Sequence, residues 1–258
     1  MNREGLTGDL KDKILEKLRE DIEDLEGVVL IGSRAEGNHE EDSDINLVCL
    51  LREDSRDKRA RLRMVSDRLT RELGIPIELI PSTPLAISVH FEKGTILAHA
   101  IKRGIPLIDV DGFFSFIVRK PLNPPGHQWL KDYFEHWLTF FTLSEQDYKL
   151  ERKLHRKYCK NVCYCGISNL LAKVLFNFAI IYLATKKCVP TTRKETQSLV
   201  RLHLDNKKVL TGLEIAFEAC HEKRPLNLNE AQKVIHSARW FRKELGKIFD
   251  MDLKGKRK

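Results

Sequence analysis

The stretch Val28 to Leu51, VVLIGSRAEGNHEEDSDINLVCLL, constrains this chain more than any other. Val28-Val29-Leu30-Ile31 is a short apolar run of the kind that forms a buried strand. Gly32-Ser33 ends it in a turn, and a polar segment leads to a second apolar run, Ile45 to Leu51. Ten residues separate Ser33 from Asp44, which enters the second strand together with Asn46. Side chains two apart on a strand leave the same face. Asp44 and Asn46 are therefore expected to aim two oxygen ligands at one metal ion. The backbone N–H groups of the glycine turn lie alongside, where they suit phosphate.

The flanking sequence supplies helices and further strands. Leu10, Ile14, Leu18, Ile22 and Leu25 recur at helical spacing with Asp and Lys between them, which predicts an amphipathic helix over 8–26 ended by Gly27. Arg56 to Leu73 is a second such helix, with Leu62, Val65, Leu69 and Leu73 inward and Gly74 closing it. Ile75 to Pro81 reads as a short strand, with Ile75, Ile77 and Leu79 on one face and Glu78 and Ile80 on the other. Glu78 is the natural third oxygen if the strands are neighbours. Thr95 to Arg103 predicts another helix, stopped at Gly104, and Ile105 to Val110 a final strand. The order α-β-turn-β-α-β-α-β describes a small α/β unit with a mixed sheet.

Three prolines and a glycine in Pro121–Gly126 mark a linker or sharp turn. Beyond it no strand is expected, and helical segments run over 127–143, 145–164, 167–186, 192–203, 207–221 and 229–249. The expected fold class is α+β: a mixed-sheet domain over 1–120, an all-α bundle over 121–250 and a basic tail over 251–258, disordered from Lys254.

Composition narrows the setting. A length of 258 residues fits two ordinary domains. The N-terminus, MNREGLTGDLKDK, lacks the apolar core of a signal peptide. The most apolar stretch, Ile167 to Ala184, carries Asn169, Lys173 and Asn177, which fits a buried bundle helix and not a membrane span. Six cysteines without an export signal suggest reduced thiols in a cytoplasmic protein. The net charge of +8 is unevenly divided. Residues 1–120 hold 19 Lys+Arg against 23 Asp+Glu, a net of −4, and residues 121–258 hold 26 against 14, a net of +12. An acidic half suits cations and a basic half suits a polyanion.

Two features of the second half bear on ligands. Lys149, Arg152, Lys153, Arg156, Lys157 and Lys160 share one helical face, with Leu150, Leu154 and Tyr158 adjoining. Stacked like charges cost stability unless an anion faces them, so a triphosphate or nucleic-acid backbone is the expected occupant, against the alternative of a solvated face. His155, Cys159 and Cys163 fall at i, i+4 and i+8 with Cys165 close behind. No Cys-x-x-Cys pair is present, so thiols packed in a bundle explain them more simply than zinc.

Gly32-Ser33, ten residues, then Asp44-x-Asn46 resembles the signature of the DNA polymerase β-type nucleotidyltransferase superfamily, nearest its minimal and kanamycin-type members. GSRAEG is similar to the family's glycine–serine turn, DSDINLV to its Asp-Ser-Asp-Ile-Asp-Leu run, IELIP to its third strand and KRGIPLID to its closing strand. The resemblance covers about residues 8–110. It implies that Gly32, Ser33 and Arg34 bind the nucleotide, that Asp44, Asn46 and Glu78 hold Mg²⁺ (or Mn²⁺), and that Asp44 and Glu78 are catalytic. The implied reaction moves an NMP from an NTP such as ATP to an acceptor hydroxyl on a small molecule, a protein or RNA. Asn46 departs from the family's second Asp and removes one negative charge of three, so binding of a second hard cation is expected to weaken, as in an inactive variant, an impaired or regulatory relative, or an enzyme that tolerates the amide. The alternative is a non-catalytic nucleotide- or RNA-binding protein derived from a nucleotidyltransferase. The helical half resembles the bundles of kanamycin-type enzymes and HEPN domains more weakly. The HEPN pattern of Arg, four to six residues, then His matches only Arg34 to His39, outside the bundle, which argues against a HEPN-type ribonuclease.

Overall fold

A computed structural model describes residues 6, 8–39, 43–159 and 166–251. The chain divides into two compact units, Met1–Asn123 and Pro124–Lys258. The architecture is α+β, with a four-stranded mixed sheet in the first unit and helices in the second.

The first unit opens with α1 (Gly8–Asp21), followed by β1 (Leu25–Ile31), a four-residue α2 (Ser33–Glu36) and β2 (Ile45–Leu51). Next come α3 (Arg56–Leu73), β3 (Ile77–Ser82), α4 (Pro84–Glu92), α5 (Ile96–Arg103), β4 (Ile105–Asp109) and α6 (Phe113–Ile117). The strand order is β3-β2-β1-β4. β1 lies antiparallel to both β2 and β4, and β2 runs parallel to β3. Alternation divides the strand side chains between two layers. Val28, Leu30, Ile45, Leu47, Cys49, Leu51, Ile77 and Leu79 pack with Ile14 and Leu18 of α1 and Leu62, Val65 and Leu69 of α3. Val29, Ile31, Val48 and Leu50 pack on the other face with Ile87, Phe91, Ile101, Phe114 and Ile117. Burial holds the Cys49 thiol up at about 12, so it stays protonated and acts as a small hydrophobe.

Several boundaries differ from the sequence-based expectation. α1 ends at Asp21 rather than near residue 26. Asp21, Glu23 and Asp24 put negative charge at a helix C-terminus, where the macrodipole disfavours it. Gly27 does not end a helix but lies inside β1, where a Cβ would stand 2.7 Å from the Phe114 ring. β3 begins at Ile77, not Ile75. α4 was not expected, although Thr83 accepts from the Ala86 N–H and Pro84 follows it in the first turn.

The second unit holds α7 (His127–Tyr158), β5 (Gly166–Ile167), α8 (Leu170–Thr185), α9 (Arg193–His203), α10 (Lys207–His221), β6 (Leu226–Asn227) and α11 (Leu228–Ile248). α8 is apolar on nearly all sides and buries Leu171, Val174, Leu175, Phe178 and Ile181, as a central bundle helix should. Expected as two segments, α7 is one helix of 32 residues that carries Phe141, Ser144 and Tyr148 inward through the supposed break. The expectation of no strand in this half is corrected by β5 and β6, which pair antiparallel over two residues each, too short to leave a periodic signal. Among the described residues no helix is long and apolar enough to cross a membrane.

Candidate active site

The open end of the sheet, where β1 finishes and β2 and β3 begin, gathers the polar residues. Asn46 pairs with Ile31 on one side and with Glu78 on the other. Paired residues on neighbouring strands send their side chains to the same face, so Asn46 and Glu78 stand side by side. Asp44 lies two residues before Asn46, and the adjoining ladder is already formed by the Ile45 N–H, which donates to the Pro76 carbonyl at 2.8 Å. Asp44 therefore continues the same face. Asp44 and Asn46 are partly exposed and Glu78 is exposed, whereas Val48 and Leu50 further along that face are buried. Polar groups begin where the covering helices stop.

Gly32 forms the floor beside them. Its φ of +78° and ψ of −155° fall in a region essentially restricted to glycine. A Cβ there would lie 3.6 Å from Asn46 Nδ2, so the turn and the amide are neighbours. Ser33 opens α2, a single turn closed by Gly37 in the left-handed conformation.

Arg34 points inward, being only 5% exposed. Its Nε and Nη2 donate to the Ser43 carbonyl at 2.9 and 2.8 Å. The guanidinium thus fixes the main chain immediately before Asp44, a positioning role that sequence spacing alone did not reveal. His39, expected only as a chance spacing from Arg34, has its pKa lowered by burial and by the nearby Arg34 charge.

β3 is the edge strand, so alternate peptide groups face away from β2. The Thr70 hydroxyl of α3 accepts from the Ile77 N–H at 3.0 Å, and the Ser66 hydroxyl donates to the Ile77 carbonyl. These contacts fix the start of β3 and with it the register that sets Glu78 against Asn46. Neither side chain was recognised from sequence, because a helix-to-strand contact has no fixed spacing.

The donor set is two carboxylates and one amide. Among the described residues, no three His, Cys, Asp or Glu side chains gather as a metal cluster. Hard oxygen donors suit Mg²⁺ or Mn²⁺, and the charge of this set suits one ion better than two.

Residues 11–103 match the family model described as a nucleotidyltransferase domain. This part of the chain is a nucleotidyltransferase domain. The whole chain is similar in fold to the crystal structure of spectinomycin adenyltransferase AAD(9) from Enterococcus faecialis with ATP and spectinomycin. That likeness has a TM-score of 0.56 at 11% identity and covers 92% of this chain and 100% of that one. A toxin–antitoxin crystal structure with AMP-PNP matches at a TM-score of 0.33 and 17% identity, over 42% of this chain and 80% of that one. No curated protein sequence matches the chain.

The other expected ligand groups are in the second unit. Lys149, Arg152, Lys153, Arg156 and Lys157 are exposed along the end of α7, while Lys160 lies outside the described residues. Of the cysteine cluster, Cys159 follows α7 directly, and Cys163 and Cys165 lie outside the described residues, as does the tail from residue 252.

Proposed function

We propose that this chain is a divalent-metal-dependent nucleotidyltransferase that moves an NMP from an NTP, ATP in the first instance, to an acceptor hydroxyl with release of pyrophosphate. The observation that supports this most is the pairing of Asn46 with Glu78 beside the Gly32 turn, with Asp44 on the same face. Asp44 and Glu78, with the Asn46 amide oxygen, would hold Mg²⁺ or Mn²⁺. When bound, the ion would neutralise triphosphate charge and lower the pKa of the attacking hydroxyl. The backbone at Gly32 and Ser33 would hold the phosphates, since nothing but hydrogen projects from Gly32 into their path. Arg34 serves the nucleotide side by fixing the segment that carries Asp44. Glu78, exposed and next to Asn46, would accept the proton of the acceptor hydroxyl. The bond formed joins the acceptor oxygen to the α-phosphorus, and the bond broken releases pyrophosphate.

A second reading is favoured by one observation, the amide at position 46: a nucleotide-binding protein descended from such an enzyme, without turnover. The two are separated by incubating the chain and its Asn46→Asp variant with labelled ATP, Mg²⁺ or Mn²⁺ and a panel of acceptor hydroxyls. The panel begins with spectinomycin, because the AAD(9) structure holds it together with ATP. Pyrophosphate from the chain itself supports the enzyme reading, with the variant faster by about tenfold or more. Release by the variant alone, with ATP bound by both, assigns the chain to the second reading. Counting Mn²⁺ by electron paramagnetic resonance is expected to give one tight ion for the chain and two for the variant.

A further inference from the structure

The helical unit carries two surface grooves with cationic walls. One, of about 550 Å³, follows the end of α7 and is lined by Tyr148, Lys149, Arg152, Lys153, Arg156 and Lys157. The other, of about 600 Å³, lies between α10 and α11 and is lined by Lys208, Thr211, Asn229, Gln232, Lys233 and His236. Neither has a carboxylate among its described lining residues. Tyr148 Oη and Gln232 Oε1 are 3.5 Å apart, so the two grooves are neighbours with this contact between them. Lys208 and Lys233 thus add cations on two further helices in the groove next to the α7 row, which sequence periodicity within one helix could not show.

The cations are poorly compensated. Lys149, Arg152, Lys153 and Arg156 are exposed, and their side chains form no ion pair among the described residues. Neighbouring like charges at i, i+3 and i+4 repel, which favours a bound anion. At about 1.5 Å per residue the row from Lys149 to Lys157 spans roughly 12 Å, the length of three to four stacked nucleotides at about 3.4 Å each. Tyr158 is 64% exposed, and Lys157 lies 4.9 Å from the centre of its ring. The ring lines neither groove and stands at the end of the row, where a base can stack only on the face opposite Lys157. An anionic bilayer fits less well. It calls for a convex apolar face with cations around it, whereas here the cations line hollows and Leu150 and Leu154 are exposed to one side only.

We propose that these two neighbouring grooves bind a single-stranded nucleic acid, its phosphates on the α7 row and on Lys208 and Lys233, with a base stacked on Tyr158 at the end of the row. This does not depend on nucleotidyl transfer, and its test uses no turnover. The full chain is titrated into a fluorescein-labelled 20-nucleotide oligo-uridylate between 50 and 200 mM KCl, and anisotropy is read. With about four phosphates engaged, the slope of log K against log salt is expected near −3, a loss of about 60-fold over that range. Arg152→Gln/Lys153→Gln/Arg156→Gln should flatten the slope by about 2, and Lys208→Gln/Lys233→Gln by about 1. Arg193→Gln/Lys194→Gln removes two cations that line neither groove and should leave both slope and affinity near the parent's. No binding at 50 mM KCl, equal binding by the groove variants and the parent, or an equal loss in the Arg193/Lys194 variant would each overturn the proposal. So would binding to phosphatidylglycerol vesicles without binding to the oligonucleotide.

Discussion

At the scale of single residues, the site depends on groups whose value lies in what they leave out. Gly32 offers no Cβ in a conformation where an L side chain is strained. Gly32→Ala is expected to cost about 1–3 kcal/mol in chemical denaturation, through backbone strain and not through contact with the Asn46 amide. Asn46 omits a charge, and its exchange for Asp separates turnover from binding in the assay above. What was readable here followed from alternation: the shared face of Asp44 and Asn46 needs nothing beyond strand periodicity. The inward turn of Arg34 was not readable, because its acceptor is a backbone carbonyl nine residues away across a polar loop. No periodic rule connects the two.

At the scale of elements, the sheet, its order of helices and the helical second half could be anticipated from apolar spacing and glycine stops. The misses have physical causes. Gly27 was read as a helix stop, yet it serves a close approach of Phe114 that exists only once α6 has folded over β1. α7 was divided near Ser144, a poor helix former that is carried inward by its apolar neighbours. Its hydroxyl is buried and makes no hydrogen bond in the structure. Ser144→Ala is therefore expected to be neutral or to raise the melting temperature by a few degrees, read by calorimetry. Thr70→Val does the opposite: it keeps the shape but strands the Ile77 N–H. A loss of about 1–3 kcal/mol is expected, with faster amide exchange confined at first to β3.

At the scale of the whole molecule, charge and proton balance differ between the units. His90 and His99, half-buried in the layer that covers one sheet face, have pKa values lowered chiefly by burial. Each binds its proton more readily when unfolded, so the stability it contributes is present above the ordinary histidine pKa of 6.5 and falls as pH drops below it. The melting temperature of the first unit should therefore decline between about pH 6.5 and 5, and His90→Gln/His99→Gln should flatten that decline. The basic excess of the second half was plain in composition; that its cations line two neighbouring grooves on three helices was not, since that arrangement is tertiary.

The amide at position 46 has one further consequence. Asn and Asp have nearly the same shape, and the position is partly exposed on a strand face. A single base change in the codon converts one into the other. One base change therefore moves this strand face between two carboxylates and three, in either direction, with almost no structural history to undo.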